Sequence, residues 1–133
     1  MESLNSLDLT LGEQMQHLID KIFKNAKYKA LVVANEDGFP IASKIKVKEE
    51  GIEELISALF NTMLTTETRI SEKLAMGKPK DILFTLEKGT IVVNVLENKL
   101  CCGMILQNSV NIPFYKFKLE ELSEAILEIL NPE

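Results

Sequence analysis

The chain is expected to fold as an α+β protein with the element order αββαβββα, and three features of the sequence predict this. Apolar residues recur at helical spacing in three stretches. Between them lie five short apolar runs, and compact turn signals such as Asp37-Gly38 and Lys88-Gly89 separate neighbouring runs. No repeat, low-complexity block or Pro/Gly/Ser-rich linker interrupts the pattern. Residues 1–133 are therefore expected to form one domain, with residues 1–9 as a flexible lead-in.

The first helix carries Leu11, Met15, Leu18, Ile19, Ile22 and Phe23 on one side, with Asp8 and Thr10 as candidate caps. Residues 30–35 form a first strand, Glu36, Asp37 and Gly38 a hairpin turn, and a second strand follows from Phe39. That strand alternates Ile41, Ser43, Ile45 and Val47 with Lys44, Lys46 and Lys48, so its lysine face is expected in water and the strand at a protected sheet edge. A long helix is predicted over residues 51–76, with Ile52, Leu55, Ile56, Leu59, Phe60, Met63, Leu64, Ile70 and Leu74 on its apolar side. After the breaker Gly77-Lys78-Pro79, residues 81–87, 90–96 and 100–107 read as a three-stranded meander, turned at Lys88-Gly89 and at Glu97, Asn98 and Lys99. A loop containing Pro113 leads to the last helix, where Leu119, Leu122, Ile126, Ile129 and Leu130 are apolar and Asn131-Pro132 is the stop.

The composition excludes several functions. With 133 residues and 46% hydrophobic content, the chain can bury roughly two-thirds of its unfolded surface. The formal charge is −5, and Arg69 is the sole arginine among 15 basic residues, so nucleic acid is not an expected partner. The first residues lack a basic then apolar leader, and no apolar run approaches the ~20 residues that span a bilayer, so a cytoplasmic protein with no membrane span is expected. Cys101 and Cys102 are adjacent in a strand, where successive side chains point to opposite faces, and are expected as reduced, buried thiols.

No catalytic constellation emerges. His17 is the only histidine and falls off the apolar stripe of its helix, so it is read as exposed, with no nucleophile spaced to meet it. One histidine and two divergent cysteines do not make a zinc site. Residues 76–79 contain Gly-Lys, but Pro79 stands where a phosphate loop needs Ser or Thr, so a helix terminator is the better reading. Arg69 is assigned a surface ion pair with Glu72 at i+3. Glu120, Glu121, Glu124 and Glu128 read as a solvated acidic face of the last helix. The expectation is a non-enzymatic protein without metal or cofactor.

Residues 30–43, Ala-Leu-Val-Val-Ala-Asn-Glu-Asp-Gly-Phe-Pro-Ile-Ala-Ser, resemble the first hairpin of the roadblock/dynein light-chain family. Residues 89–96, followed by residues 100–106, look like that family's final strand pair, and the likeness extends over residues 10–130. The chain departs from the family between the first helix and first strand, where members often carry glycine and this sequence has Asn25, Ala26, Lys27, Tyr28 and Lys29. The resemblance implies a five-stranded antiparallel sheet with the long helix on one face and the terminal helices on the other. It also implies a dimer joined through the third strands and second helices. Members regulate or scaffold Ras-like small GTPases or serve motor and signalling complexes, so a homodimeric adaptor of a small GTPase is the implied function.

Two segments support a self-association surface without the family. The polar side of the long helix carries Ser57, Ala58, Asn61, Thr62, Thr65 and Thr68, and its charges return only toward the ends, as Glu53, Glu54, Arg69, Glu72 and Lys73. Small uncharged side chains let a second helix approach, and threonine is a poor helix former that needs another reason to cluster. An ordinary solvated threonine face is the competing reading. The third strand, Ile82, Leu83, Phe84, Thr85 and Leu86, has no charge, proline or lysine guard, and at a sheet edge it would be open to pairing. Coverage by the chain's own helix or loop is the competing reading there. A small-molecule sensor of profilin-like architecture is the alternative function, although bulky core residues leave few polar groups to orient a ligand.

Overall fold

The structure is a computed structural model that describes residues 9–96 and 100–131. All but Leu9 of the expected lead-in, the cap at Asp8, the turn at residues 97–99 and Pro132 of the stop lie outside the described residues. Helix α1 (Leu11–Ile22) opens on Thr10, whose side chain accepts from the Glu13 backbone while Glu13 reaches back to the Thr10 amide. This reciprocal pair satisfies two donors that a helix start would leave orphaned. Asn25 then adopts φ 64°, so an asparagine, a non-glycine residue tolerant of the left-handed region, turns the chain between α1 and the first strand.

Strands β1 (Ala30–Ala34) and β2 (Pro40–Ile45) form the first hairpin, and Gly38 supplies its positive φ of 83°. Helix α2 (Ile52–Leu74) follows, two residues shorter at its C-terminal end than residues 51–76 predicted, because Ala75 and Gly77 both turn left-handed. Strands β3 (Asp81–Leu86), β4 (Gly89–Val95) and β5 (Cys101–Leu106) form the meander. Helix α3 (Ile112–Leu130) is capped by the Asn111 side chain, which accepts from the Phe114 amide. Pro113 sits inside its first turn rather than in a loop, where its missing N–H costs nothing.

The sheet order is β2-β1-β5-β4-β3, antiparallel throughout. Alternation along β1 sends Leu31 and Val33 to one core and Ala30, Val32 and Ala34 to another. The first core holds Met15, Ile19, Leu119, Leu122 and Ile126 from α1 and α3, and the second holds Ile56, Phe60 and Met63 from α2. The long helix and the terminal helices thus cover opposite faces, as expected. Cys101 joins the α2 core and Cys102 the other, so the adjacent thiols diverge and both are free and buried.

Lys44 of β2 and Lys46 just beyond it are exposed, as expected, and each also makes a contact at its tip. Lys44 pairs with Asp20 of α1 at 3.2 Å, and Lys46 donates to Ala26 O while its ammonium lies 3.9 Å from the Tyr28 ring centroid. A register shift between Val33 and Ala34 bends this edge, and α1 then lies over it.

Candidate functional site

Helix α2 does not sit centrally on its face. Ser43 of β2 donates to Glu53 near its start, and Phe60 lies over Gly103 of β5. A Cβ at position 103 would come within 2.2 Å of the Phe60 ring, so only glycine lets the aromatic side chain seat there. The helix consequently rests on β2, β1 and β5, and its coverage runs out toward β3.

At that end the sheet is apolar and open. β3 pairs with β4 alone and forms the sheet edge. Ile82 and Phe84 oppose Val93 and Ile91, which belong to or pack against the α2 core, yet Ile82 is only half-buried and Phe84 is 40% exposed. Leu83, Thr85 and Leu86 are exposed as well. The unguarded strand predicted from the sequence therefore lies at an edge, and among the described residues no helix closes it.

The helix itself corrects the sequence reading. Leu55, Ile70 and Leu74, expected on the buried side, are 67%, 53% and 58% exposed. Periodicity assigns a residue to a side of a helix but cannot say whether the neighbouring sheet extends beneath it. Ser57, expected on the exposed packing side, is instead buried, and Gly38 of the β1–β2 turn packs against the helix backbone at this position. Asn61 is exposed but donates to Glu36 O, so it fastens the same turn.

Ala58, Thr62, Thr65, Thr68 and Arg69 are exposed, as placed. Each threonine hydroxyl donates to the carbonyl four residues back: Thr62 to Ala58 at 3.2 Å, Thr65 to Asn61 at 3.1 Å and Thr68 to Leu64 at 3.0 Å. These bonds occupy the hydroxyl donors of Thr62, Thr65 and Thr68, so these three side chains can lose their water without an orphaned donor. Among the described residues Arg69 makes no ion pair with Glu72, contrary to expectation; the ion pairs join Lys44 to Asp20, Lys116 to Asp81 and Lys118 to Glu121.

An open cleft of about 1070 Å³ lies between the C-terminal half of α2, the residues before β3, the end of β4 and α3. Glu67, Glu72, Asp81, Glu120 and Glu124 line it, with Lys78 and Lys80 as its basic residues, so it is more polar than the bulky core residues implied. Burial, helped by the Glu67 carboxylate, pushes the Cys101 thiol up to about 12, and burial does the same for Cys102 against a lowering contact from Ser123. Neither thiol has nucleophilic character at neutral pH. His17 is exposed on α1. Among the described residues no group of three or more His, Cys, Asp or Glu side chains is placed to hold a metal ion, and no helix is long and apolar enough to cross a membrane.

Solved structures share this architecture. MglB from Myxococcus xanthus superposes with a TM-score of 0.81 at 11% identity, over 90% of this chain and 97% of that one. The gliding protein MglB from Thermus thermophilus also gives 0.81 at 11% identity, over 94% of each chain. The roadblock/LC7 domain from Streptomyces avermitilis gives 0.75 at 10% identity, over 86% of this chain and 96% of that one. At such identities the likeness establishes the fold, which is that of roadblock/LC7 domains, as the first hairpin implied. No curated protein matches the chain by sequence. Residues 11–129, from the first residue of α1 almost to the end of α3, match the family described as mitogen-activated protein kinase kinase 1 interacting, and the chain belongs to that family.

Proposed function

We propose that residues 1–133 act as one domain whose two copies join edge to edge through β3, with their α2 helices side by side, to form a non-catalytic cytoplasmic platform for a Ras-like small GTPase. The observation that carries this reading is the open apolar margin of the α2 face, where Phe84 and Leu86 of β3 lie exposed on the same molecule as Leu55 and Ile70 of α2. An exposed edge strand of this kind invites pairing, and two-fold pairing of β3 closes both edges at once. The back-bonded threonines of α2 support close helix approach. A family defined by interaction with a kinase kinase favours a binding role over a catalytic one. The GTPase follows from the roadblock resemblance.

Light scattering tests the pairing: the wild type is expected at twice its 15.0 kDa mass, and Thr62→Arg with Thr65→Arg at half that value. A monomeric wild type at micromolar concentration would sink the platform. Pull-down with the host's Ras-like GTPases, loaded with GDP or GTP, tests the partner. The large open cleft favours a second reading, a small-molecule sensor. Native mass spectrometry separates the two, since only a sensor retains a bound small molecule.

A further inference from the structure

We propose that the outer face of the α1/α3 layer is a second self-association surface, through which copies of this chain pair by opposite charge. This surface lies on the other side of the sheet from α2 and does not depend on pairing through β3.

The two helices run antiparallel. The backbone N–H of Lys27, just beyond α1, donates to the Tyr115 hydroxyl in the first turns of α3 at 2.7 Å, so the end of α1 meets the beginning of α3. Basic charge gathers at this end. Residues 21–29, from the last turn of α1 up to β1, hold four of the fifteen basic residues and none of the twenty acidic ones. Lys21, Lys24 and Lys27 are exposed, and Lys118 lies 5.8 Å from the Phe114 ring centroid.

The same end carries two aromatic side chains with no place in either core. Phe117 is 65% exposed and Phe114 nearly half exposed. Farther along α3, Glu121, Glu124 and Glu128 are exposed, and no basic residue follows Lys118 in the sequence. The layer is therefore polarised along its length, basic and aromatic at one end and acidic at the other.

A two-fold axis through the middle of such a layer sets the basic end of one copy against the acidic end of the next, and does so twice. The charges are self-complementary, and the aromatic pair gains cover. A flat anionic membrane fits less well, because the acidic end of the same face would be repelled from it.

The test is sedimentation of the full chain at about 0.05 M and about 1 M salt, where screening shrinks from roughly 14 Å to 3 Å. The low-salt mass is expected at twice the high-salt mass. Lys24→Glu with Lys27→Glu should remove the low-salt doubling, as should Glu121→Lys with Glu124→Lys, and mixing the two variants should restore it. In a Phe84→Arg background, which removes the β3 edge, salt should still separate two copies into one, so the two interfaces fail independently. The proposal is overturned if wild-type mass does not respond to salt, or if either charge reversal leaves the doubling intact. It is equally overturned if the lysine reversal leaves the mass unchanged but abolishes pelleting with phosphatidylserine vesicles.

Discussion

The two edges of this sheet are built on opposite plans. At β2 the edge is finished: Lys44 and Lys46 are committed to α1 and the Tyr28 ring, Ser43 is bonded to α2, and an irregular register bends the strand. At β3 the edge is regular over all six residues, free of lysine, and exposes Leu83, Phe84 and Leu86. A sheet with one guarded and one open edge can extend in only one direction. Edge-to-edge pairing through β3 would therefore join two copies rather than build a fibre, because two open edges together leave only guarded ones outside.

This contrast can be broken first at its origin. Phe60 over Gly103 seats α2 on the β2 half of the sheet, so Phe60→Ala should cost about 3–5 kcal/mol in urea unfolding. Gly103→Val should destabilise comparably, since its Cβ has no room. The edges themselves are compared next. Phe84→Arg should reduce the protein to the 15.0 kDa monomer in light scattering at about 1 M salt, where charge pairing is screened, while leaving the circular dichroism spectrum intact. Lys46→Leu at the other edge should leave the mass unchanged and cost only ~0.5–2 kcal/mol of stability, the range of a cation–π contact.

The cysteines report on whether the sheet centre stays shut. Both thiols are raised by burial from an ordinary 9.0 to about 12, so folding favours the protonated form. Their contribution is fully present below pH 9 and is lost as pH rises toward 12. Alkylation at pH 8 should accordingly be slow in the folded protein and fast in urea. The smallest effect is expected at Ser57, whose buried hydroxyl has no hydrogen-bond partner among the described residues. Ser57→Ala should be neutral or stabilising by up to about 1 kcal/mol in thermal unfolding, and a loss larger than that would mean the hydroxyl is satisfied.

Much of this architecture was legible in the residues. Thr10 and Glu13 announce the start of α1, Asp37-Gly38 the first hairpin, and the charge-free run of β3 an edge at risk. Local chemistry dictates each of these, through caps, turn conformations and side-chain alternation. The packing side of α2 was legible only in part. Threonine clustering marked the right helix, but Ser57 lies under the β1–β2 turn, while Leu55, Ile70 and Leu74 belong to the exposed surface. The exposed Phe114 and Phe117 gave no signal at all, because an aromatic residue in an amphipathic helix reads as core.

The sequence by itself determined the elements, their order, the divergent thiols and the guarded and unguarded character of the two strands. Those properties depend on neighbours within a few positions. Only the tertiary structure decided which apolar residues stay in water, because that depends on where α2 is seated on the sheet. Its seat is fixed by one long-range fit, the Phe60 ring over the missing side chain of Gly103. It also decided that the end of α1 meets the start of α3, since antiparallel packing of helices from opposite ends of the chain has no local signature.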